Sequence, residues 1–187
     1  MTDIANSKIL ILSTNGFEQS ELEYPRDQLR AKGATVHLAT PDGTAIKGWD
    51  GGDWGRAAEA DLKIADADMA GYDALVLPGG QINPDILRTI PEAVAIVIAA
   101  VKQGKIVAAI CHAPWMLIEA GVVAGREMTA YPSIRTDLRN AGANVVDKAV
   151  ALSNGIITSR NPDDLPAFVD KIVEEVKEGR HPRPAAA

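Results

Sequence analysis

Cysteine is nearly absent from this chain: its 187 residues include a single one, Cys111. That excludes an internal disulfide and fits a reducing compartment. Basic runs are absent as well. Nineteen Lys and Arg are spread among 25 Asp and Glu, for a net charge of −6. A nucleic-acid groove needs clustered cations to replace counterions, so nucleic acid is not expected as a partner, and neither is an anionic membrane surface. No long hydrophobic run exists. The longest, Ala93–Val101, is far short of the ~20 residues that cross a bilayer, and Met1–Ser7 lacks the basic start of a secretion signal. The expected protein is soluble and cytoplasmic. Phosphate-binding glycine motifs are missing too: the first apolar run is followed by a lone Gly16, so no nucleotide cofactor is implied. His37, His112 and His181 lie far apart and show no zinc-type spacing with Cys111, so no metal is expected. His37 reads as a structural strand residue and His181 as part of a loose tail.

What is present is globular. Apolar residues make up 47% of the chain, and the 16 Gly and 11 Pro are scattered without period. The length suits one domain over 1–187, with a core at about 8–177 and a disordered tail at 180–187. Short apolar strands are expected at Lys8–Ser13, Thr35–Ala39, Ala74–Leu77 and Lys105–Ile110. Helical patterns lie between them, at Leu22–Lys32 and Pro91–Gln103. This alternation implies an α/β, three-layer sandwich: a mostly parallel central sheet covered by helices on both faces. Further on come a helix at His112–Ala120, a short strand near Met128 and a helix at Ser133–Ala141 with Ser133 as its N-cap. A hairpin turns at Ser153-Asn154-Gly155. Asp163–Glu178 closes the chain as an amphipathic helix with Leu165, Phe168, Ile172, Val173 and Val176 on one face. Residues 44–70, with Trp49 and Trp54 among glycines, suggest a hairpin bearing exposed aromatics.

Open α/β sheets build their sites at the carboxyl ends of strands. Three such ends stand out here: Ser13-Thr14-Asn15-Gly16 with Phe17-Glu18, Pro78-Gly79-Gly80, and Cys111-His112-Ala113-Pro114. The last has the strand–nucleophile–helix order of a nucleophile elbow, with Ala108, Ala109 and Ala113 leaving room for the turn. Cys111 is either a buried small hydrophobe or a nucleophile. As a nucleophile at a helix start its pKa is expected to fall. His112 can serve as its base only if the elbow backbone is distorted, since adjacent helical side chains do not face each other. The N–H groups of His112 and of Gly79 or Gly80 are candidate oxyanion donors. Glu18 is either a solvated acid or a protonated partner that donates to the thiolate. Trp115 either walls the pocket or belongs to the core.

Ala109-Ile110-Cys111-His112-Ala113-Pro114 resembles the elbow of the ThiJ/PfpI superfamily, which shares the class I glutamine-amidotransferase-like fold. Leu77-Pro78-Gly79-Gly80, Phe17-Glu18 with Glu21-Leu22 and Tyr24-Pro25, Tyr131-Pro132-Ser133-Ile134 and Thr158-Ser159-Arg160 follow the same family pattern, in the same order. The set looks most like the PfpI-type branch. The resemblance implies Cys111 as the reactive thiol, His112 as its neighbour and Glu18 as the nearby acid. It also implies a carboxylate from a neighbouring subunit that orients the His. Pro84-Asp85 takes that place, with an Asp where the family has Glu, so a homodimer or higher homo-oligomer is implied. The activities implied are a cofactor-free deglycase or glyoxalase acting on methylglyoxal-type aldehydes or their adducts, a cysteine peptidase, or a non-catalytic redox sensor or chaperone that uses Cys111 oxidation. Small-aldehyde chemistry ranks first, because amide cleavage demands a well-oriented His112.

Overall fold

The computed structural model describes residues 3–181. In chain order the elements are β1 (Lys8–Leu12), β2 (Phe17–Glu18), α1 (Gln19–Ala31), β3 (Thr35–Thr40), β4 (Ile46–Asp50), β5 (Asp53–Ala58), β6 (Leu62–Lys63), β7 (Ala74–Leu77), α2 (Ile82–Leu87), α3 (Pro91–Lys102), β8 (Ile106–Ile110), α4 (Pro114–Glu119), β9 (Glu127–Met128), α5 (Arg135–Asn140), β10 (Asn144–Val145), β11 (Val150–Ser153), β12 (Ile156–Ser159) and α6 (Leu165–Glu178). The main sheet runs β11-β12-β8-β7-β1-β3-β6, and every neighbouring pair is parallel except the β11–β12 hairpin. The expected three-layer α/β sandwich is therefore the fold.

The continuous apolar strands are explained by two cores. Along β1, Leu10 and Leu12 enter one core with Leu75, Leu77 and the α3 residues Ala93, Val97 and Ala100. Ile9 and Ile11 enter the other with Val76, Leu22 and Leu29 of α1, and Phe168 and Ile172 of α6. Successive strand side chains point to opposite faces, so a strand covered on both must be apolar throughout. Fully burying a side chain such as Phe168, which is 0% exposed, contributes ~2–3 kcal/mol.

Several boundaries differ from the expectations. Helix α1 starts at Gln19, three residues early, because Glu18 is already extended at φ −61°, ψ 118° and serves as its N-cap. Ser133 does not cap α5. It lies in a 3-10 turn, Pro132–Ile134, and Ile134 precedes the helix without a side-chain cap. The hairpin at Ser153–Gly155 forms, with Asn154 and Gly155 both at positive φ. Trp49 and Trp54 pair across β4–β5 in an edge-to-face contact, with Trp54 exposed. His37 bonds Tyr72 Oη through Nδ1 at 3.0 Å, a structural role. Part of the expected loose tail is fixed, since the His181 amide donates to Gly104 O at 2.9 Å. Residues 182–187 lie outside the described residues. Among the described residues no helix is long and apolar enough to cross a membrane.

Candidate active site

Strands β1, β7 and β8 lie side by side and parallel, so their carboxyl ends open onto one place. Asn83 ties two of these ends together. Its buried Oδ1 accepts from Thr14 N at 2.8 Å and Ser13 Oγ at 3.3 Å, while its Nδ2 donates to Pro78 O at 2.9 Å and Gly79 O at 3.2 Å. Cys111 follows β8 directly and takes φ +64°, a left-handed conformation that is strained for a residue with a side chain. The backbone holds it there: Cys111 N donates to Ser159 O, and Tyr131 N donates to Cys111 O, both at 3.0 Å.

That distortion turns two adjacent side chains toward each other. Cys111 Sγ lies 3.1 Å from His112 Nδ1, and His112 Nε2 lies 3.0 Å from Ser133 Oγ. Tyr131 stacks on the imidazole at 4.7 Å between centroids. Burial holds the His112 pKa below its ordinary value, which keeps the ring neutral and basic near pH 7.

The carboxyl beside the thiol belongs to Glu21, not Glu18. Glu21 is 0% exposed on the inner face of α1 and interacts with the Cys111 side chain. Its Oε2 accepts from Gly79 N at 2.9 Å, while its buried Oε1 has no hydrogen-bond partner. Burial, with the Glu18 charge adding to it, pushes the Glu21 pKa up to about 8. The group is therefore a neutral acid at pH 7. Glu18 is half-buried at the head of α1. There its carboxylate accepts from Ser20 Oγ at 3.4 Å, and burial, followed by the Asp50 charge, raises its pKa. A helical periodicity does mark Glu21 in the sequence: it shares the buried stripe with Leu22, Pro25 and Leu29, an acid on an apolar face.

Two other expectations need correction. The Cys111 thiol is not acidified by a helix dipole. Helix α4 begins only at Pro114 and has six residues. Burial, then the Glu21 charge, push the thiol pKa up, while the Gly80 and His112 N–H groups pull it down. Thiolate formation thus depends on Glu21 holding its proton. The oxyanion donors also separate. Gly79 N–H is taken by Glu21, the Gly80 N–H is shared between the Glu21 carboxyl and the sulfur, and the His112 N–H faces the sulfur. Gly79 has a packing role, since a Cβ there would meet Cys111 Cβ at 2.7 Å.

Asp85 is exposed on α2, and among the described residues no hydrogen bond or ion pair joins it to His112, whose Nε2 faces Ser133. Trp115 is half-buried and edge-on to His112. Its Nε1 donates to Asp137 Oδ2 at 2.8 Å, and it lines a neighbouring groove of about 500 Å³ with Arg88 and Ile118.

A mostly parallel sheet covered by helices on both faces, with a strained cysteine at the end of a central strand and a buried acid beside it, defines the class as a three-layer α/β protein. The DJ-1/PfpI family model matches residues 7–175, and the chain belongs to that family. It is 41% identical over 167 residues to deglycase TK1284 of Thermococcus kodakarensis, covering 89% of this chain and 98% of that one. It is 40% identical over 165 residues to protein/nucleic acid deglycase 2 of Escherichia coli, covering 87% and 94%. Among solved structures, Drosophila melanogaster DJ-1beta superposes with a TM-score of 0.82 at 30% identity, covering 92% of this chain and 94% of that one.

Proposed function

We propose that this protein is a cofactor-free, cysteine-dependent deglycase or glyoxalase acting on methylglyoxal-type aldehydes or their adducts with amines. One arrangement carries the reading: a Cys111 sulfur set between a neutral imidazole at 3.1 Å and the buried acid of Glu21. With Nε2–H donated to Ser133, His112 Nδ1 is left to accept the thiol proton. The sulfur then forms a bond to the aldehyde carbon, and the carbonyl electron pair moves onto oxygen. The Gly80 and His112 N–H groups stabilise that oxyanion. Glu21 delivers its proton to the new alkoxide and, as a carboxylate, removes the former aldehyde hydrogen as a proton. The electron pair left behind makes an enediol as the adjacent carbonyl oxygen is protonated. Return of the proton from Glu21 to that neighbouring carbon, with loss of the first hydroxyl's proton, re-forms a carbonyl on the carbon that bears sulfur. The product is a thioester that water cleaves, releasing a 2-hydroxy acid and restoring the thiol. On an adduct, the departing amine takes its proton from the imidazolium.

The deglycase names of the relatives support this substrate class, and so does access, since Cys111 is only 5% exposed and better suited to a small molecule than to a peptide chain. A homo-oligomer in which Asp85 of one copy approaches His112 of another belongs to the same proposal. The exposed Ile82 and Ile86 flanking Asp85 on α2 support it. The test is release of 2-hydroxy acid from methylglyoxal and from an arginine adduct by wild type and Cys111→Ser. Turnover by wild type alone is expected. A wild type that is inert to aldehydes yet cleaves peptides, or is only oxidised at Cys111, overturns the proposal in favour of a peptidase or a redox sensor.

A further inference from the structure

At the opposite end of the sheet from Cys111, the last turns of α6 and the segment after it bring together Glu175, Glu178 and His181. One donor atom of each lies within 4.8 Å of the others. Two of these atoms are unusual. Glu175 is 1% exposed, and its Oε2 is buried with no hydrogen-bond partner. His181 Nε2 is likewise buried without a hydrogen-bond partner, although it sits 3.0 Å from that same Oε2. The two form an ion pair when His181 is protonated, but they are not aligned as hydrogen-bond donor and acceptor. Two ligand atoms each ~2.1 Å from one ion lie about 3.0–3.4 Å apart at angles between a right angle and tetrahedral. Glu178 is three residues from Glu175, so it projects from the same side of the helix. It is exposed and leaves room for water on the ion.

We infer that Glu175, Glu178 and His181 form a binding site for a divalent first-row transition ion of the Zn²⁺ type. Two carboxylates and one imidazole are a donor set that such ions accept. Spacing of Cys and His alone misses this site because two of its ligands are glutamates, one of them on the apolar face of α6. The ion has a structural task. His181 N–H already bonds Gly104 O at 2.9 Å, at the turn between α3 and β8. Metal on the His181 side chain ties α6 to that turn through the intervening Gly179-Arg180.

The test is isothermal titration of Zn²⁺ into the full chain, with Cys111→Ser as a parallel sample to remove the thiol as a ligand. Glu178 and His181 are outside the core, so Glu178→Gln and His181→Ala leave the fold intact. One equivalent of Zn²⁺ is expected to bind wild type and Cys111→Ser alike and to raise the melting temperature of both. His181→Ala is expected to weaken binding by at least about tenfold, and Glu178→Gln by a similar factor. Absence of binding to wild type overturns the site. So does binding that Cys111→Ser abolishes and His181→Ala leaves unchanged. Neither result bears on the aldehyde chemistry, which is read separately by turnover.

Discussion

Replacing Glu21 with Gln should change how stability depends on pH. In the fold this carboxyl titrates at about 8, and its ordinary value is 4.5. The unfolded chain therefore releases the proton first as pH rises. Between the two values the native state binds more protons than the unfolded state, so stability is fully retained below pH 4.5 and lost up to about pH 8. At ~1.4 kcal/mol per pH unit the loss amounts to about 5 kcal/mol, or ~3–6 kcal/mol if the folded value is off by a unit. Burial is complete, so solvent does not dilute this figure. Glu21→Gln keeps the size and an acceptor for Gly79 N–H but cannot ionise. Near pH 5 the two proteins should differ little. By pH 8 the variant should be the more stable by several kcal/mol. Urea unfolding at unit steps of pH from 5 to 8, read by circular dichroism, measures this difference directly. A stability gap that stays constant across that range would refute the claim that Glu21 is a buried acid protonated at rest.

Two more outcomes follow from the site's geometry. Ser133→Ala removes the hydrogen-bond partner of His112 Nε2; loss of ~1 kcal/mol of orientation should lower kcat about fivefold and alter its pH profile, while the melting temperature stays put because Ser133 is exposed. Gly80→Ala should fail to accumulate as folded protein or melt far below wild type, because a Cβ there would sit 2.4 Å from Gly16 O on a backbone at φ +79°; a normal melting curve would contradict it.

The fold was legible because its strands follow a simple physical rule. Runs such as Ile9–Leu12 and Ala74–Leu77 are apolar throughout because helices cover both faces, and polar residues, glycine or proline end them at the carboxyl ends of the strands. The Asn154-Gly155 turn was legible for an equally local reason, both residues accepting positive φ. Cys111 was legible as a nucleophile candidate because small residues surround it between a strand and a helix. The acid was misplaced by one helical turn. Glu18 and Glu21 differ only in which side of the chain faces the sheet, and that depends on α1 starting at Gln19 rather than Leu22. Ser133 reads as a helix cap, but its hydroxyl faces His112, 21 residues away in sequence. Nothing local encodes that contact. Depression of the thiol pKa was expected from the helix alone. Burial reverses it, and burial is a tertiary property.

The proposed chemistry is tested by the rate of 2-hydroxy acid release from methylglyoxal, compared at one pH for wild type, Cys111→Ser, Glu21→Gln and Glu18→Gln. The role assigned to Glu21 predicts that wild type turns over, that Cys111→Ser and Glu21→Gln fall to background, and that Glu18→Gln keeps most of the rate. Loss of turnover in Glu18→Gln with retention in Glu21→Gln would contradict it.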